Sequence, residues 1–124
     1  MTILAYILIM IVAIEHLYIL VLEMFFSTST AARRTFGVTE EFIANKQVQS
    51  LFANQGLYNG FLAAGLIWGL LIVPSAFQFS AVVFFLSCVI IAAVYGGLTA
   101  NKGILIKQGS PAILALIVTL IALG

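Results

Sequence analysis

Apolar residues fall in four long blocks, at residues 3–26, 51–73, 77–99 and 104–123, separated by polar stretches. The first three blocks each reach the roughly 20 residues that a ~30 Å hydrocarbon core asks of a helix. Their apolar residues run on continuously instead of alternating with period two, which predicts helices and not barrel strands. The first block is interrupted from inside: Glu15 and His16 lie at its middle and Glu23 near its end. An ionisable side chain at the bilayer centre costs roughly 2.5–3.5 kcal/mol on insertion scales. The other blocks must therefore supply a polar surround.

The polar stretches set the boundaries. Ser27-Thr28-Ser29-Thr30 closes the first block, because short hydroxyl side chains compete for backbone hydrogen bonds and favour helix ends. Beyond it, Thr39 is expected as an N-cap, with Glu40 and Glu41 in the first turn where the helix dipole favours acids. No breaker follows before the second block. An amphipathic, interfacial helix over about 39–50 is therefore predicted to run on into the second span. Gly56-x-x-x-Gly60 and Gly65-x-x-x-Gly69 mark faces on which helix backbones approach closely in lipid. Pro74 ends the second block, and the connection is short enough to make the second and third spans antiparallel neighbours. Pro111 leaves two readings of the last block. A helix starting there, with Ser110 as N-cap, has 14 residues, about 21 Å at 1.5 Å each, which is short for a crossing. A helix starting near 104 has the length but must kink at an internal proline. The longer version is expected.

Composition settles the class. Of 124 residues, 64% are hydrophobic and 7% charged, against about 25% charged in a soluble domain. So few charges cannot coat a water-exposed globule. The expectation is an all-α integral membrane four-helix bundle in a single transmembrane domain. A net charge of +1, with Arg33-Arg34 as the longest basic run, excludes a nucleic-acid surface. Cys88, the only cysteine, excludes an intrachain disulfide and a thiolate metal cluster. The N-terminus shows neither a basic leader region nor a small-residue cleavage site, so the first block is read as a retained span. Arg33, Arg34 and Lys46 lie in the first connection and Lys102 and Lys107 in the third. In a four-span chain these connections share a side, which the positive-inside rule makes cytoplasmic, with both termini on the other side.

That topology gathers the polar residues. At 1.5 Å per residue Glu23 lies about one turn from the cytoplasmic face, and Glu15 with His16 roughly 16 Å in. Asn54 and Gln55 enter from the second span at the level of Glu23, with Tyr58 and Asn59 a turn deeper. Tyr95 and Gln108 approach from the third and fourth. His16 and Glu23, seven apart, share a helix face, and Gln55–Asn59 and Asn54–Tyr58 pair at i, i+4. With Tyr18, these residues outline a candidate polar cavity in the cytoplasmic half. Glu15 and His16 form its floor and are expected to share a proton. A plainer role is open for all of them, since Asn, Gln and Tyr can simply hydrogen-bond between helices and fix their register. Enzyme chemistry has little to draw on. One histidine excludes a multi-histidine di-iron site, and no nucleophile elbow, phosphate loop or dinucleotide fingerprint occurs. Glu15 and His16 project about 100° apart, an awkward bite for a metal. No metal site and no cofactor are expected.

Glu15-His16-Leu17-Tyr18 with Glu23-Met24, the run from Asn54 to Leu66 (NQGLYNGFLAAGL), Tyr95-Gly96 and Gln108-Gly109-x-Pro111 together resemble the small bacterial membrane proteins grouped as domain-of-unknown-function family 1304. The likeness covers essentially the whole chain. It implies a four-span bundle in a bacterial inner membrane and no particular activity. Three functions stay open. The leading one is a cytoplasm-facing cavity that binds a small molecule, lipid-like ligand or ion, with proton-coupled transport as its extension and a homodimer through the glycine faces as a way to enlarge it. The second is a structural or accessory membrane subunit. The third is a membrane enzyme using His16 with Glu15 or Glu23.

Overall fold

A computed structural model describes residues 2–123, which are helical with no strand among them. Helix α1 is Ile3–Phe25, α2 Thr30–Phe36, α3 Glu40–Ile43, α4 Lys46–Leu71 and α5 Ser75–Thr99. A short α6, Lys102–Ile104, leads through a π-helical turn, Leu105–Gly109, into α7, Ser110–Leu123. Three of these runs are long and apolar enough to cross a membrane: α1, α5 and the continuous stretch Lys102–Ala122. Helix α4 has 26 residues, about 39 Å, but the stretch from Lys46 to Asn59 carries Gln47, Gln49, Asn54, Gln55 and Asn59. By composition the chain therefore has three span-grade helices and one long helix that is polar at its start.

Apart from α5, which starts after Pro74 without a side-chain cap, and α7, which continues from the π-helical turn, the α-helices begin where a side chain meets free backbone N–H groups. The Thr2 hydroxyl accepts from Ala5 N at 3.2 Å, Ser29 from Ala32 N at 3.1 Å and Thr39 from Phe42 N at 3.2 Å. The helix from Thr39 does not run on into α4, contrary to the expectation for 39–50. Asn45 stops it by accepting from Gln47 N at 2.8 Å and Val48 N at 3.3 Å, which starts a new helix at Lys46. One short polar side chain that satisfies two orphan donors is enough to break and restart a helix without glycine or proline. Gly37, the C-cap of α2, adopts φ +67°, a left-handed conformation that side chains strain to reach. At the last block Asn101 caps α6 through Gly103 N at 2.8 Å, so the helix starts two residues before 104. Ser110 sits inside it with φ −61° and ψ −48°, and is no cap. The widened turn lies immediately before Pro111. A proline ring has no N–H to give and collides with the carbonyl four residues earlier, here Lys107; the wider turn relieves both faults without ending the helix.

Helix α1 packs against α4 and α7, and α5 packs against the same two. Ile9, Val12, Leu66, Leu70, Val82 and Leu86 fill the space between them. The closest approach is α1 on α4. A Cβ on Gly56 would lie 2.9 Å from Glu23 Cβ and 2.9 Å from Met24 Cγ, and 3.2 Å from the Leu20 carbonyl oxygen, while Gly60 faces the Leu20 side chain. Gly65 meets the Phe85 ring, and a Cβ on Gly69 would stand 3.3 Å from Ala81 Cβ. Both glycine pairs thus pack against neighbouring helices inside the chain, Gly56 and Gly60 on α1 and Gly65 and Gly69 on α5. The two cation-bearing connections meet at one end, where a Cβ on Gly37 would fall 2.7 Å from Asn101 Nδ2. At the opposite end Gln78 Nε2 donates to the Leu70 carbonyl at 3.1 Å, tying the α4–α5 turn.

The close approach yields a test. Gly56→Ala should lower stability in detergent by about 1–3 kcal/mol, the range for inserting a methyl into a packed contact. Leu57→Ala, one residue on and facing outward, should change it far less. Equal unfolding midpoints for Gly56→Ala and the parent would contradict the α1–α4 contact.

Candidate functional site

Because Gly56 and Gly60 let α4 lie directly on α1, the polar residues beside them come within reach of α1. Asn59 Nδ2 donates to Glu23 Oε1 at 2.6 Å, a short bond between the two helices. Glu23 is only 5% exposed. Neither arginine pairs with it; Arg33 instead reaches Glu40 at 3.8 Å on the surface, and no other ion pair forms among the described residues. A single interhelical hydrogen bond in a membrane contributes about 0.6–1.7 kcal/mol. That is below the roughly 2.5–3.5 kcal/mol cost of a mid-bilayer carboxylate. Position helps Glu23, two residues from the end of α1, and so does space.

A hollow of about 140 Å³ opens beside the Glu23–Asn59 pair. Glu23 and Ile19 line it from α1, Gln55 and Asn59 from α4, and Gly96 from α5. Phe36 from α2 borders it too, stacked edge-on to Phe52 at 5.6 Å between ring centres. Ile104 and Gln108 complete the wall and also border a second hollow of about 270 Å³ on the other side of Ile19. That one takes Glu15 and Tyr18 from α1, Thr35 from α2 and Lys107 from the π turn. Its polar wall is incomplete: Glu15 Oε1 is buried with no hydrogen-bond partner. Extra backbone turns of this kind recur where a helix re-aims side chains, and here the widened turn carries both Lys107 and Gln108.

The structure thus brings Glu23, Gln55, Asn59 and Gln108 to one hollow, and Glu15, Tyr18 and Gln108 to its neighbour. It leaves Asn54, Tyr58 and Tyr95 outside both. Tyr58 and Tyr95 are 55% and 69% exposed, on the outward faces of α4 and α5. Tyr18 has its ring half outside as well. His16 is 1% exposed but lines neither hollow; its Nδ1 lies 2.9 Å from the carbonyl of Val12, one turn back in its own helix. It therefore does not form a common floor with Glu15. The described residues hold no group of three or more His, Cys, Asp and Glu suited to a metal. Sequence reasoning missed Thr35, Phe36 and Lys107. Lys107 had a signal, since it precedes Gln108 in a helix where adjacent residues both reach the same end of the bundle.

Fold and site together define a membrane-type helical protein with polar groups buried at its cation-bearing end. The chain belongs to the family described as "Protein of unknown function (DUF1304)", whose model matches residues 10–120. It is similar to "Uncharacterized protein YpaA" of Lactococcus lactis subsp. lactis (strain IL1403), with 44% identity over 117 residues that cover 94% of this chain and 97% of that one. No solved structure matches.

A carbonyl can only accept, so Nδ1 of His16 must carry a proton to bond Val12. Nitrogen-15 spectra of this single histidine in micelles should show a protonated Nδ1. A ring protonated on Nε2 alone would contradict the placement.

Proposed function

We propose that this is a four-span protein of the bacterial inner membrane that binds a small molecule, lipid-like ligand or ion in the polar end of its helix assembly, facing the cytoplasm. The observation that carries the reading is the meeting of Glu15, Glu23, Gln55, Asn59 and Gln108, from three separate stretches of chain, around two adjoining hollows. Side chains this costly in lipid are by default functional when they face an interior space. Helix α4 serves as the fourth span: Gly56, Asn59 and Gly60 meet α1, and its apolar second half packs on α5 through Gly65 and Gly69. All five Lys and Arg residues lie in or beside the connections at one end, which the positive-inside rule assigns to the cytoplasm. Binding is favoured over transport, because the helices show no inverted repeat of the kind that transporters use to alternate access.

A structural reading has one observation on its side. Glu23 Cβ lies directly under Gly56 where α1 and α4 pack closely, so its bond to Asn59 also locks α1 to α4.

Thiol accessibility separates the two readings. In a Cys88→Ala background, Gln108→Cys should react with a membrane-impermeant cationic methanethiosulfonate in inside-out vesicles and stay unreactive in intact cells. Ala115→Cys, buried in the apolar core, should react in neither. Labelling of Gln108→Cys from outside, or from neither side, would overturn a cytoplasm-facing site.

A further inference from the structure

The larger hollow has a property that the smaller lacks: it is lined by one acidic and one basic residue with no ion pair between them. Glu15 enters from α1 and Lys107 from the π turn, both onto the same space of about 270 Å³. The only ion pair among the described residues is Arg33–Glu40, so none joins Glu15 to Lys107. Glu15 Oε1 is buried and unpartnered. We propose that this hollow binds a zwitterion, with its ammonium against Glu15 and its anionic group against Lys107; the inference rests on the binding-site reading above and names its ligand class.

The sign of the charges excludes the simpler ligands. A lone cation would satisfy Glu15 but meet Lys107 as a like charge, and a lone anion would do the reverse. A neutral apolar molecule would leave the buried Glu15 Oε1 unpartnered, the costly outcome for a buried polar group. Only a ligand that carries both signs, separated by a short spacer, meets both walls at once. Ile19 and Ile104 supply apolar surface for that spacer, and Gln108 and Thr35 offer further polar contacts. The volume equals roughly nine waters at about 30 Å³ each, which suits a headgroup-sized molecule and not a drug-sized one. Amino-phosphate chemistry fits, either as an ethanolamine-type lipid headgroup or as the same group free in solution.

The test is calorimetric titration of the full-length protein in maltoside micelles with three probes. These are dihexanoyl phosphatidylethanolamine, free glycerophosphoethanolamine, and dihexanoyl phosphatidylglycerol as an anion without the amine. Phosphatidylethanolamine should bind at least tenfold more tightly than phosphatidylglycerol. Glu15→Gln, which keeps side-chain volume, should weaken that binding at least tenfold. Lys107→Met should do the same; its exposed position leaves the packed interior intact, so it keeps the test decisive if Glu15→Gln fails to fold. Binding of the free headgroup with comparable affinity identifies a soluble zwitterion as the ligand, and binding of the lipid alone identifies a membrane source. Equal affinity for phosphatidylglycerol, no binding of either amine probe, or unchanged binding by Lys107→Met would overturn the assignment. If Gln108→Cys is still labelled from the cytoplasmic side in that case, the site survives and only its ligand class falls.

Discussion

The contact of α1 with α4 at Gly56 and Gly60 is the constraint on which the polar end depends. Two glycines one turn apart let the backbones close until Glu23 Cβ would touch any added methyl. At that separation Asn59, three residues on, reaches Glu23 with a 2.6 Å hydrogen bond. Bulkier residues would part the helices and strand the carboxylate. Packing thus comes first, and the polar chemistry follows from it, as expected where lipid offers no hydrophobic drive between helices.

The same contact fixes which polar residues face inward. Asn54 and Tyr58 share one face of α4, Gln55 and Asn59 the next, and a step of one residue rotates a helix by about 100°. Spacing alone leaves both pairs eligible. Gly56, Gly60 and Ala63 are the buried residues of this stretch, and Asn59 beside them turns inward while Tyr58 turns out. On α5 Ala93 and Gly97 hold the inner face and Tyr95 is carried outward in the same way. Distance along each helix axis was therefore legible in the sequence, because rise per residue is fixed. Rotation about each axis was not, because it depends on which small residues a neighbour claims.

Boundaries divide along a similar line. Thr39, Pro74 and the run through Pro111 were legible, since capping and proline chemistry are local. The restart at Asn45 was not, since a cap made by one asparagine inside a polar stretch carries no composition signal. The glycine pairs were legible as close-packing faces, and within the chain those faces meet α1 and α5. His16 shows the limit most plainly. Its neighbour in sequence, Glu15, opens onto a hollow, while His16 satisfies Nδ1 one turn back along its own helix. Adjacent residues on a helix look in different directions.

The central claim is that Glu23 and Asn59 are coupled across the α1–α4 contact. A double-mutant cycle with Glu23→Ala, Asn59→Ala and the double variant, read by reversible unfolding in detergent, measures that coupling directly. The account predicts an interaction energy of about 0.6–1.7 kcal/mol, the span for interhelical hydrogen bonds in membrane proteins. Strictly additive single effects, with no coupling, would contradict it.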